Sequence, residues 1–286
     1  MNATSLLLTP ERKLRALWRI ILFVAVLMAA FVVASSLEAF LEGLIAARGY
    51  VPLVSNWNIQ LGILIATAVM LRWVEGSGWS YVWLGKSSAN PRVLVRGALW
   101  GALAIGVPSL ILLATGELRP ISSPPGSWWL AAGISFASLL PAAVGEELLL
   151  RGYVFAVLRE SIGWRWTLIT TSIVFGLLHI PNPGSDAQSI SLVMLAGFFL
   201  GSILLATRSL YATTLAHFSW NWFMAAGLHS PVSGLPVRTP GYQVIDSGPD
   251  WLTGGGWGPE GGLAAAFGMF AVLIYLHARP LRRMES

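Results

Sequence analysis

Three short clusters in this chain carry side chains that can move a proton or bind a developing negative charge, and each sits inside an apolar segment. The first is Glu146-Glu147-Leu148-Leu149-Leu150-Arg151. Glu147 and Arg151 lie four residues apart, on one face of a helix, where they can pair. Glu146 falls about 100° further round and is left without a local cation. A desolvated carboxylate in that position suits a general base or acid. The second cluster, Phe175-Gly176-Leu177-Leu178-His179, places His179 near the end of an apolar helix that stops at Pro181. The third, His217-Phe218-Ser219-Trp220-Asn221, projects His217 and Asn221 from one helix face.

Each of these residues also has a structural use. Glu147 with Arg151 reads as a buried salt bridge that fixes a helix, and a single intramembrane His serves equally well as a helix-to-helix hydrogen-bond donor. His229 and His277 fall at segment ends and read as interfacial. Glu146 has no such ready use. With a rise of about 1.5 Å per residue, Glu146 and His179 lie roughly 20 Å from the cytoplasmic ends of their segments and His217 roughly 10–15 Å. All three could meet in one cavity within the membrane, together with Asn221, and that coincidence makes them one candidate site.

The elements that must position them follow from composition. Of 286 residues, 55% are hydrophobic and 11% charged, with a mean hydropathy of +0.68. Soluble domains carry roughly 25% charged residues, so much of this surface faces lipid. The same numbers exclude a disordered or fibrous chain. A net charge of +5 on so apolar a chain is a topology signal and does not indicate a nucleic-acid partner. Zero cysteines remove disulfides, thiolate metal sites and cysteine nucleophiles together.

A bilayer core needs about 20 apolar residues per helix. Segments of that kind fall at residues 17–37, 57–73, 95–115, 128–160, 166–180, 190–207, 210–228 and 263–277, which predicts an all-α polytopic membrane protein of about eight transmembrane helices, a single membrane-embedded domain over residues 1–286. The first segment is too long for the apolar part of a signal peptide and stays as a span. The fourth is unusual: it holds Pro141 as well as the charged cluster, and one tilted, Pro-kinked helix or two separate pieces fit it equally. Residues 230–262, rich in Gly and Pro, form an external loop that either caps the protein or is disordered. Gly97/Gly101 and Gly197/Gly201 read as close helix packing. Trp128, Trp129, Trp164 and Trp166 read as interfacial anchors. No internal repeat of the transporter kind is visible.

With the amino terminus inside, fourteen basic residues fall on cytoplasmic ends and loops: Arg12, Lys13, Arg15, Arg19, Arg72, Lys86, Arg92, Arg96, Arg159, Arg165, Arg208, Arg279, Arg282 and Arg283. Three, Arg48, Arg119 and Arg238, fall outside. The bias predicts that both termini are cytoplasmic.

Taken together and in order, Glu146-Glu147-x-x-x-Arg151, Phe175-x-x-x-His179 and His217-x-x-x-Asn221 resemble the motifs of the CPBP intramembrane proteases, which include the CaaX prenyl endopeptidases of the Rce1 type and the bacterial Abi proteins. The motif-bearing core covers residues 128–228. The resemblance implies a glutamate-dependent intramembrane endopeptidase in which Glu146 and His179 activate a water, while His217 and Asn221 hold the oxyanion. Glu147, Arg151 and Phe175 would support them. It implies a membrane-associated protein or peptide as substrate, of the CaaX type or from bacteriocin or signal-peptide processing, and a bacterial inner membrane as location. Glu146, His179 and His217 could also supply three ligands to a catalytic zinc, although the chain has no HExxH. It has no GxSxG and no intramembrane Asp pair either. The alternatives are a non-enzymatic scaffold or immunity partner of the same fold, and a small proton-coupled transporter.

Overall fold

In hydrocarbon every backbone N–H and C=O must be satisfied within the chain, and a helix does this locally. The computed structural model describes residues 7–10, 13–48 and 57–278; Arg12, Arg279, Arg282 and Arg283 lie outside the described residues. The protein is mostly helical and integral to the membrane. Among the described residues five helices are long and apolar enough to cross a bilayer: Ala16–Ala47, Trp57–Val74, Pro91–Thr115, Trp128–Leu177 and Ala187–Thr207. A shorter apolar helix, Leu263–Ala278, follows.

We name α1 Ala16–Ala47, α2 Trp57–Val69, α3 Pro91–Thr115, β1 Leu118–Ser122, α4 Trp128–Glu147, α5 Val154–Leu177, α6 Ala187–Thr207, α7 Leu210–Trp222, β2 Tyr242–Asp246, α8 Asp250–Thr253 and α9 Leu263–Ala278. Helix α1 runs ten residues past the expected end at 37 and takes in Glu38 and Glu42. Pro141 does not end the fourth segment, because α4 continues through it. The break lies downstream, in the π-type turn Leu148–Tyr153, where Gly152 leaves helical geometry at φ −83, ψ −113. A second break inside α5 falls at Gly163, whose φ of +74 suits glycine alone. The fourth segment is therefore in two pieces, divided at Gly152, and the break at Gly163 falls in the gap before the fifth.

The chain divides into two compact units. The first comprises Met1–Gly85 with Val144–Thr167, the second Lys86–Ala143 with Leu168–Ser286. Within the first, α1 packs on α2, and Phe23, Ala66, Met70, Leu71, Val82, Tyr153, Ala156 and Val157 form a core. The Phe23 and Tyr153 rings lie 5.2 Å apart at its centre.

Within the second unit the two expected small-residue pairs work as close contacts. A Cβ on Gly97 or Gly101 would run into the backbone of Ala212 or Ala216 on α7, and one on Gly197 or Gly201 would meet Ser172 or Leu168 on α5. Side chains fix where α6 and α7 begin. The Asp186 carboxylate accepts from the Ser189 amide at 2.7 Å in a reciprocal capping box, which holds that carboxyl below its usual range. Ser209 caps α7 by accepting from the Ala212 amide at 3.2 Å. The Gly/Pro-rich loop is ordered: β2 pairs antiparallel with β1, Leu118 opposite Asp246 through to Ser122 opposite Tyr242. His229, expected at the interface, is buried in this loop, stacked on the Tyr242 ring and hydrogen-bonded through Nδ1 to its carbonyl at 2.7 Å.

Backbone contact leaves no room for a side chain at Gly101. Gly101→Leu is expected to destabilise the protein by about 2 kcal/mol or more, seen as a lower midpoint of thermal unfolding in detergent. Gly133→Ala on α4, where a Cβ meets nothing within 4 Å, is expected to leave the midpoint unchanged or slightly raised.

Candidate active site

The site residues fall into two groups, one in each unit. In the first unit the π-type turn displaces the helix register just after the acidic pair, a distortion often found at functional positions. The Arg151 guanidinium donates to Glu147 Oε1 at 3.0 Å, and both side chains are fully shielded from solvent. The expected i,i+4 pair therefore forms. Glu146 is half-buried and, contrary to expectation, also has a local cation, because Arg151 feels both Glu147 and Glu146 electrostatically.

A second polar cluster in this unit was not foreseen. Arg19, counted in the sequence as a cytoplasmic topology charge, is buried and holds Glu75 through Nε at 2.8 Å and Nη2 at 2.6 Å. Its Nη1 donates to Glu160 at 2.9 Å and Nη2 also reaches the Tyr81 hydroxyl. Tyr153, the last residue of the π-type turn, donates to Glu75 Oε1 at 2.6 Å. The turn that follows Glu146 and Glu147 is thus tied to α1 and to the end of α2. A two-point grip of this kind suits a guanidinium, which presents its donors as a planar fork.

In the second unit α5 ends at Leu177, so His179 stands in the turn beyond the helix and not in it. Its Nδ1 bonds to the Phe175 carbonyl at 2.8 Å. A carbonyl can only accept, so Nδ1 carries the proton, and in the neutral ring Nε2 keeps the lone pair needed to take one from water. The Phe175 ring packs edge-on against both imidazoles, 4.8 Å from His179 and 5.8 Å from His217. His217 and Asn221 are buried on α7. With His179 and Phe175 they line one small cavity of about 30 Å³.

The same cavity is lined by residues that spacing along the sequence did not single out: Trp220, Ser233 and Glu260. Glu260 lies in the Gly/Pro-rich loop, and its carboxylate accepts from Trp220 Nε1 at 2.7 Å. A lone acid in a Gly/Pro-rich stretch gave no periodic signal.

Among the described residues no three His, Asp or Glu side chains are grouped to hold a metal ion.

Residues 127–223 match the family model described as Type II CAAX prenyl endopeptidase Rce1-like. The match covers about a third of the chain and is consistent with the CPBP family. No curated protein and no solved structure matches the chain. The matched residues include Glu146, Glu147, Arg151, Phe175, His179, His217 and Asn221, and the matching family is one of proteases. Glu260 lies outside the match.

Removing one partner of a fully buried ion pair strands the other charge. Glu147→Gln is expected to cost about 3–5 kcal/mol of stability. The double variant Glu147→Gln/Arg151→Met is expected to recover most of that loss in the same thermal unfolding assay. Equal losses in the single and double variants would mean that the pair is not what the turn depends on.

Proposed function

We propose that the protein is an intramembrane endopeptidase that hydrolyses a peptide bond of a membrane-associated protein or peptide. The observation that carries this reading is the grouping of His179, His217 and Asn221 on one cavity within residues matched to a prenyl endopeptidase family. Glu146 acts as the general base, with His179 in the role the family resemblance implies, and takes one proton from water as the water oxygen attacks the scissile carbonyl. The tetrahedral intermediate places its negative charge on the former carbonyl oxygen. Donors from the His217 ring and the Asn221 amide, on one rigid helix face, suit that oxyanion because they need no reorganisation as charge develops. The intermediate collapses by breaking the C–N bond, and the proton taken from water passes to the leaving amine. His179 is prepared for this by its Nδ1 bond, which leaves Nε2 basic.

The substrate class that fits the family is a prenylated C-terminal CaaX sequence, with bacteriocin or signal-peptide processing as other members of the same reaction class. We place both termini on the cytoplasmic side of a bacterial inner membrane, a reading supported for the orientation by the bias of basic residues and for the membrane by the resemblance alone.

A farnesylated CaaX peptide offered to the purified chain in lipid vesicles tests the assignment. Cleavage is expected with the wild type. Glu146→Gln and His179→Ala are each expected to lower kcat by roughly 10²–10⁴-fold, and Asn221→Ala by about 10²–10³-fold. A chelator is expected to leave the rate unchanged; a loss restored by added zinc would assign the chemistry to a metal. Cleavage by Glu146→Gln at the wild-type rate would overturn the carboxylate mechanism.

A further inference from the structure

His179 and His217 come from elements that are distant in sequence, a turn after α5 and the middle of α7. A side-chain chain of contacts runs between those elements through the Gly/Pro-rich loop. Asn182, three residues past His179 and bonded through its amide to the His179 carbonyl at 3.0 Å, donates its Nδ2 to the Ser233 carbonyl at 3.0 Å. Ser233 donates its amide and its hydroxyl to Glu260 Oε1, at 2.5 and 2.7 Å. Glu260 Oε2 accepts from Trp220 Nε1 at 2.7 Å, and Trp220 lies between His217 and Asn221 on α7.

Two further features bear on this chain. Ser233 has a φ of +49, a left-handed conformation that residues other than glycine, asparagine and aspartate seldom adopt. Such strain persists where its surroundings over-determine it, and here Asn182 and Glu260 grip the residue from both sides. Glu260 is a buried carboxylate on the short turn Pro259–Gly261, directly before α9, and it uses both oxygens as acceptors toward two different elements. Nothing in the water-activation step above uses it.

We propose that Glu260 is a positioning residue, which together with Ser233 forms a latch from the Gly/Pro-rich loop that sets the His179 turn against the His217/Asn221 face of α7. The inference deepens the peptidase reading and rests on it for its catalytic consequence. It makes the Gly/Pro-rich loop part of the active site. It also explains why a carboxylate is needed: one oxygen must accept twice from Ser233 while the other accepts from an indole. A carboxamide offers a single acceptor oxygen and so holds only one side of the latch.

The test uses the full chain in lipid nanodiscs, with hydrogen–deuterium exchange and farnesylated-peptide kinetics on Glu260→Ala, Glu260→Gln, Trp220→Phe and the wild type. Glu260→Ala is expected to raise exchange both in the turn 178–185 and in the loop around 230–236. It should also lower kcat by roughly tenfold to a hundredfold with KM little changed. Glu260→Gln should fall between it and the wild type. Trp220→Phe removes one donor and should lower kcat by less than Glu260→Ala. If the alanine variant does not fold, the Gln and Phe variants carry the comparison. Unchanged exchange in the 178–185 turn overturns the proposal, and so does raised exchange with unchanged kcat, which would reduce Glu260 to a structural tie. Should the wild type itself cleave nothing, the peptidase reading fails on its own, and exchange still decides whether the latch exists.

Discussion

Hydrocarbon provides no hydrogen-bond partner, so in the apolar segments a polar side chain must find its partner within the protein. Small hydroxyls meet this constraint by bonding back to the carbonyl one turn earlier, as Thr67 does to Ile63 at 2.8 Å and Ser172 to Leu168 at 2.6 Å. His179 uses the same i−4 device on Phe175, and here the device has a chemical result: it fixes the tautomer and leaves Nε2 as the acceptor. Larger charges need charged partners. Arg151 takes Glu147 on its own helix, and Arg19 takes Glu75 and Glu160 from other elements. The residues proposed for chemistry are therefore held by the same rule that lets the chain enter a membrane.

The two units meet the positioning problem in different ways. In the first, charge does the work: a buried guanidinium and a tyrosine hydroxyl converge on Glu75, and that convergence anchors the irregular turn that follows Glu146 and Glu147. In the second, backbone proximity does it. Glycines let α3 and α7 approach until an added Cβ would meet a carbonyl, and rigid helix contact of that kind suits a site that must hold His217 and Asn221 in register. The ordered loop then adds side-chain contacts that close packing alone cannot make.

What was legible in the sequence follows from separation along the chain. The Glu147–Arg151 pair and the common face of His217 and Asn221 are local, set by helical spacing, and could be read directly. The apolar segments were legible from length and hydropathy, and the Gly pairs from their four-residue spacing. The break at Gly163 falls in the gap expected between the segments at 128–160 and 166–180, whereas the one at Gly152 was not legible, because Pro141 gave the stronger signal and is accommodated within α4. The partners of Arg19 lie 56 and 141 residues away, and those of Glu260 lie 27 and 40 away, in elements that no periodicity links. Arg19 looked like a topology charge and Glu260 like a loop residue for that reason. The local cation at Glu146 is a further case: spacing gave Arg151 to Glu147 alone, whereas the fold lets both carboxylates act on it.

The central claim is that this polar core cleaves peptide bonds in the membrane. It is tested most directly by comparing peptide termini, by mass spectrometry, in membranes of cells carrying the wild-type chain or Glu146→Gln at matched expression. The account predicts new termini on membrane-associated proteins or peptides with the wild type and their loss with the Gln variant, which would also identify the substrate. Identical termini in both, with both proteins inserted and equally stable, would contradict it.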